Sequence, residues 1–174
     1  MLKIHNLSFS IEGKPLFENA SAVIPTGHKV GIVGRNGTGK TSLFRLIRGE
    51  WAVDSGQIEY SPQYRIGGVD QEAPASDISL IDTVLAADSE RAQLFAEAET
   101  ATDPSRIADI YTRLSDINAY SAEARAALIL SGLGFNTEAQ ARPCREFSGG
   151  WRMRVALAAV LFSQPDMLLL DEPT

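Results

Sequence analysis

The chain has 174 residues, 44% hydrophobic and 22% charged, with a net charge of −6. That is room for one domain and a small appendage, and the composition excludes a disordered or collagen-like chain. The longest apolar run, residues 155–162, is far shorter than the roughly 20 residues a membrane helix needs, and no signal-peptide-like stretch opens the chain, so no membrane insertion and a cytoplasmic location are expected.

The single cysteine, Cys144, can form neither an internal disulfide nor a thiolate cage, and is expected to be a small buried side chain. Charge is unevenly spread. Residues 1–70 carry 8 Lys+Arg against 6 Asp+Glu, residues 71–141 carry 4 against 12, and residues 142–174 carry 4 of each. So acidic a chain is a poor nonspecific ligand of nucleic acid, because that affinity comes from cations neutralising phosphates. Any contact with nucleic acid must then be local and based on shape.

The opening residues predict strands. Leu2, Ile4, Leu7, Phe9 and Ile11 are apolar in near-alternation and lead to the turn Glu12-Gly13-Lys14-Pro15. Residues 20–24 form a second strand candidate. The apolar run 29–33 predicts a short strand buried on both faces, running straight into a glycine-rich loop. Residues 40–48 place Leu43, Phe44, Leu46 and Ile47 at helical spacing, with Gly49 as a stop. Short strands are expected at 57–60 and 65–69.

From residue 83 to 131 the pattern becomes helical. Asp103-Pro104 reads as an N-cap followed by proline at the first helical position, which divides the segment into helices near 83–100 and 104–118, with a third at about 121–131. Phe147-Ser-Gly-Gly150 opens another helix, and Pro165 follows its end. The run 167–170 predicts a buried strand closing on Asp171 and Glu172, at the end where open α/β sheets hold ligands.

Gly34-Arg35-Asn36-Gly37-Thr38-Gly39-Lys40-Thr41 matches the phosphate-binding pattern G-x-x-x-x-G-K-[ST], with Ser42 next in the helix. Its glycines let backbone N–H groups approach phosphate oxygens, and the following helix aims its positive end at the same anion. Lys40 would contact the β- and γ-phosphates of ATP, and the Thr41 hydroxyl would ligate Mg2+. Phosphoryl transfer also needs a carboxylate on the metal and a base for the attacking water. Asp171 suits the first role and Glu172 the second.

Three segments together resemble the Walker A, signature and Walker B motifs of an ABC-type ATPase: Gly34 to Thr41, Phe147-Ser148-Gly149-Gly150-Trp151, and Leu168-Leu-Leu-Asp171-Glu172-Pro173-Thr174. The resemblance covers essentially the whole chain. It implies an α/β P-loop NTPase core with an N-terminal antiparallel β subdomain and a helical subdomain. It also places Gln71 as the glutamine that senses metal and attacking water. Ser148, Gly149 and Gly150 would face the γ-phosphate held by a second ATPase domain, in the same polypeptide or a dimer.

Trp151 and the 77-residue span from Gln71 to Ser148 resemble the ABC-F group, tandem-domain proteins that act on the ribosome in translation. The implied division is 1–82 for the β subdomain and Walker A core, 83–118 for an arm-like helical hairpin, 119–163 for the helical subdomain with the signature, and 164–174 for the Walker B strand. The family's adenine-stacking aromatic falls at Ile11, with Phe9 and Phe17 nearby. Its D-loop and switch histidine are expected after Thr174, so the chain reads as a partial domain that hydrolyses ATP poorly by itself. Two other readings are the ATP-binding subunit of a membrane transporter and a hydrolysis-deficient nucleotide-binding module.

Overall fold

A computed structural model describes residues 1–69 and 75–171. The chain divides into two compact units, Met1–Ile66 and Gly67–Thr174.

The first unit is built on an antiparallel sheet with strand order β2-β1-β3, where β1 is Leu2–Ile11, β2 is Lys14–Ile24 and β3 is Ser55–Glu59. Glu12 and Gly13 both have positive φ, 50° and 76°, the twist that a two-residue hairpin loop needs to return the chain directly into register, with Ile11 opposite Lys14. The second strand therefore begins at Lys14, well before residue 20. Pro15 is tolerated because β2 lies at the sheet edge. Helix α1, Lys40–Ile47, sends Leu46 into a core with Ile4, Leu7 and Phe9. Trp51 closes that core by stacking on Phe9, ring centroids 5.6 Å apart.

The run 29–33 does not form the expected buried strand. It has no regular secondary structure, and Val30, Ile32 and Val33 are 56%, 40% and 95% exposed. An apolar run becomes a buried strand only when a neighbour supplies hydrogen bonds and cover, and among the described residues none pairs with it.

At the start of the second unit, β4 (Ile66–Val69) pairs with β5 (Met167–Leu170). The run 167–170 forms the expected strand but not a buried one: only Leu169 is buried and Leu168 is exposed, because a two-stranded ladder gives it little cover. Gly67 is required there, since a Cβ would lie 2.8 Å from both Val160 and Pro165. The helices are α2 (Leu80–Leu85), α3 (Ser89–Thr100), α4 (Pro104–Asp116), α5 (Ala122–Gly132), α6 (Thr137–Gln140) and α7 (Gly149–Phe162). Leu80, Val84, Ala126, Leu130, Phe135 and Val155 fill the core between α2, α5 and α7. Cys144 is fully buried in this core, as its composition predicts.

The expected helix 83–100 is two helices. Residues 83–85 end α2, and Asp88 then starts α3 by accepting a bond from the Arg91 N–H at 3.0 Å. Asp103 caps α4 in the same way, through the Ser105 N–H at 3.1 Å, with Pro104 in the first turn. Helices α3 and α4 form a hairpin with its own small core of Leu94, Ile110, Leu114 and Ala119. Two forked ion pairs lace its outside, Arg106 to Glu97 at 2.6 and 2.8 Å and Arg113 to Glu90 at 2.6 and 3.1 Å. These arginines hold the Glu97 and Glu90 carboxyls below the usual carboxylate range, chiefly by hydrogen bonding.

Candidate nucleotide site

The phosphate loop is shaped by contacts that only glycine allows. A Cβ on Gly34 would lie 2.7 Å from the Thr38 hydroxyl, which itself donates to the Arg35 carbonyl at 2.8 Å. Gly39 caps α1 in the left-handed region at φ 97°, and a Cβ there would meet the Phe17 ring at 3.1 Å. Gly37 also has positive φ, 80°, but faces open space. Sequence spacing alone would give these three glycines one role. The structure gives Gly34 and Gly39 steric reasons and leaves Gly37 as the open backbone.

Lys40 folds back over the loop, with Nζ donating to the carbonyls of Gly34 and Arg35 at 3.0 and 3.2 Å. Its ammonium is thus held over the loop while the side chains of Arg35 and Asn36 are exposed around it. Thr41 and Ser42 follow in the first turn of α1, where early N–H groups lack an intrahelical acceptor. The loop therefore joins a cation, open backbone and a helix N-terminus, and it fits a polyphosphate.

Phe17 abuts Gly39 beneath this loop. Phe9 is buried and stacked on Trp51, so it is not open to an adenine ring, while Ile11 is 37% exposed on the strand end.

In the second unit, Ser148 occupies the N-cap of α7 in extended conformation, yet its side chain makes no cap bond. The hydroxyl is not spent on holding the helix, as an ordinary capping serine would be. Positions 149 and 150 face open space, where a Cβ would touch nothing within 4 Å. A free hydroxyl and glycine backbone at a helix N-terminus suit a phosphate oxygen.

Aromatic packing fixes this turn. The Phe135 ring meets Phe147 and Trp151 edge-on, at 5.7 and 5.1 Å, so one buried side chain holds both flanks of Ser148-Gly-Gly150. Arg154 lies over Trp151 at 4.5 Å, and Arg142 over Phe147 at 5.0 Å. Gln140 braces the Phe135 turn from behind, its amide donating to the carbonyls of Phe135 at 3.0 Å and Ala127 at 3.2 Å. Sequence reasoning missed Phe135 and Gln140; they carry no motif, and only an apolar residue after a glycine turn marks the first.

Ser148 and Gly150 line a cavity of about 350 Å3 that also touches Val69, Trp151, Leu157 and Asp171. The signature turn and the carboxylate ending β5 thus reach one cavity. Thr41 belongs to the other unit. Gln71 and Glu172 lie outside the described residues. Among the described residues no cluster of three or more His, Cys, Asp or Glu could hold a metal, and no helix is long and apolar enough to cross a membrane.

A phosphate loop opening a helix and a glycine-rich second helix N-terminus beside a strand-end carboxylate define a P-loop NTPase of the ATP-binding cassette class. Residues 17–174 match the ABC transporter family, and the chain belongs to it. It is 45% identical over 177 residues to the "probable ATP-binding protein YheS" of Haemophilus influenzae, spanning 100% of this chain and 28% of that protein. It is 38% identical over 184 residues to human "ATP-binding cassette sub-family F member 3", spanning 99% of this chain and 25% of that one. The chain spans about a quarter of the length of these relatives.

The fold matches the dimeric, ADP- and phosphate-bound ATP-binding cassette MJ0796, with a TM-score of 0.68 at 19% identity, over 100% of this chain and 75% of that one. A nucleotide-free cassette from an ABC transporter aligns with a TM-score of 0.67 at 20% identity, over 100% and 69%. The family's members bind ATP and hydrolyse it.

Proposed function

We propose that this chain is an ATP-binding and Mg2+-dependent hydrolytic module of an ABC-F protein acting on the ribosome. The observation that carries the ATPase reading is the Lys40-capped phosphate loop of the first unit; the uncommitted Ser148 hydroxyl at the start of α7, in the second unit, agrees with it. Similarity to sub-family F across nearly the whole chain supports the ribosomal part.

Lys40 releases the Gly34 and Arg35 carbonyls to hold the β- and γ-phosphates, and the backbone at Gly37 and Gly39 lines the same anion. Thr41 and Asp171 would hold Mg2+, which supplies charge neutralisation on the phosphates. Glu172 accepts a proton from the attacking water, whose oxygen bonds to the γ-phosphorus as the bond to the β–γ bridging oxygen breaks and ADP leaves. Gln71 orients that water. Ser148, Gly149 and Gly150 serve the γ-phosphate of a paired ATPase domain, so closure of the pair follows ATP and reopening follows hydrolysis.

The hairpin α3–α4 is the arm by which the protein meets the ribosome. Seven acidic residues against three arginines in 88–118 favour a protein or shape contact over RNA electrostatics. In the full-length protein, Glu172→Gln is expected to keep ATP binding and trap the protein on ribosomes, read by co-sedimentation. Deleting the hairpin should abolish that co-sedimentation. Unchanged association without the hairpin would remove it from this role, and normal hydrolysis by Glu172→Gln would overturn the assigned base.

The transporter-subunit reading predicts co-purification with a membrane partner instead.

A further inference from the structure

We propose that Asn36 is a spontaneous modification site, converting through a succinimide shared with Gly37 to aspartate and isoaspartate. Asn36-Gly37 is the one Asn-Gly step among the five asparagines of the chain. The Gly37 backbone nitrogen gives up its proton to hydroxide and attacks Cγ of Asn36. A C–N bond forms, the Cγ–Nδ2 bond breaks, and the departing nitrogen takes a proton from water, leaving as ammonia and regenerating the hydroxide. Water then opens the ring at either carbonyl, leaving a carboxylate where a neutral amide stood. Water is the only co-reactant.

Four observations place this reaction here. Both residues are exposed in a turn, so the chain can bring nitrogen and Cγ together. Gly37 has no side chain to shield its nitrogen, its φ is +80°, and among the described residues nothing beyond its chain neighbours lies within 4 Å of where a Cβ would be. Neither the Asn36 amide nor the Gly37 N–H makes a hydrogen bond among the described residues. Finally, the Lys40 ammonium, held on the Gly34 and Arg35 carbonyls, supplies positive potential that favours the nitrogen anion.

The other asparagines lack this combination. Asn6 accepts from the Ser21 hydroxyl at 3.3 Å and Asn136 from the Ala139 N–H at 2.8 Å. Asn19 and Asn118 precede alanines, whose Cβ crowds the attacking nitrogen.

The consequence rests on the nucleotide reading above. A carboxylate at position 36 competes with phosphate for Lys40, and isoaspartate also lengthens the loop backbone by one carbon. Bound ATP should protect, by engaging the Gly37 N–H.

The test is to age the chain for days at mildly alkaline pH, with and without Mg-ATP, and map asparagine, aspartate and isoaspartate by peptide mass spectrometry. Asn36 should convert at least about tenfold faster than each of the other four, a barrier difference near 1.4 kcal/mol. Nucleotide binding should fall in step with conversion, and Mg-ATP should slow it several-fold. An Asn36→Ser chain, whatever its starting affinity, should hold that affinity through the same incubation. Asn36 persisting while Asn19 or Asn118 converts at least as fast would overturn the proposal. Fast conversion at Asn36 in a chain that binds no ATP when fresh would uphold the modification and sink the nucleotide reading.

Discussion

The two units differ in how far each satisfies itself. Among the described residues, the helical unit buries ten in one cluster around Phe135 and Leu130, and its α3–α4 hairpin buries a further four. The phosphate-loop unit buries four in its cluster and leaves Val30, Ile32 and Val33 exposed directly before the loop. Burial of apolar area is the main favourable term in folding, so the unit that presents the signature is held by its own core, whereas the unit that presents Lys40 leans on local glycine geometry. Rigid support and chemical reach are therefore divided between them.

The largest effects should separate those roles. Gly149→Asp places a carboxylate where the signature turn awaits an anion, in space that accepts the side chain without a clash. It is expected to cut phosphate release by at least about 100-fold in the paired protein, the scale of losing a preorganised anion donor, while Mg-ATP binding at the Lys40 loop changes little. Equal loss of binding and turnover would break the division.

Stability should divide along the same line. Phe135→Ala removes a 2%-exposed ring that braces both flanks of the signature and should cost roughly 3–5 kcal/mol. Val33→Ser, at a 95%-exposed position, should stay within about 0.5 kcal/mol, both read from denaturant midpoints. A large cost at Val33 would mean that the run is covered in solution.

Smaller effects should stay inside the hairpin. Asp103→Ala deletes the α4 cap and should cost about 1 kcal/mol, seen as faster amide exchange in the first turn of α4. The weakest effect is on pH. Glu90 and Glu97 have folded-state pKa values below the usual carboxylate range, so their stabilisation is fully present above that range and is lost as pH falls through the lowered values. Amide exchange in α3 and α4 should rise on that acid side and stay flat near neutrality. Because both bridges are solvent-exposed, added salt should shrink the difference.

Motifs whose geometry is local were legible in the sequence. The phosphate loop and α1, the Asp103-Pro104 start of α4, the signature at the head of α7 and the strand β5 follow from glycine, capping and short-range periodicity, and the ATP-binding cassette fold follows from their order. Features set by distant partners were not. Nothing in residues 29–33 announces that they lack a strand neighbour, and Trp51 stacking on Phe9 needs the sheet to exist first. The break between α2 and α3 was missed for a different reason: Asp88 is a sound cap, but it sits between alanine-rich segments whose helical pattern hides it. At the candidate site, Ser148 could be named from its motif, whereas its unused capping capacity and its brace, Phe135, are set by the folded packing around α7.

The most direct test of the central claim is equilibrium binding of Mg-ATP to the chain and to its Lys40→Ala variant. Saturable binding that weakens by at least about 100-fold in the variant, near 2.7 kcal/mol, is the predicted result. Equal affinity in the two, with both folded by circular dichroism, would contradict the assignment of the loop as the phosphate site.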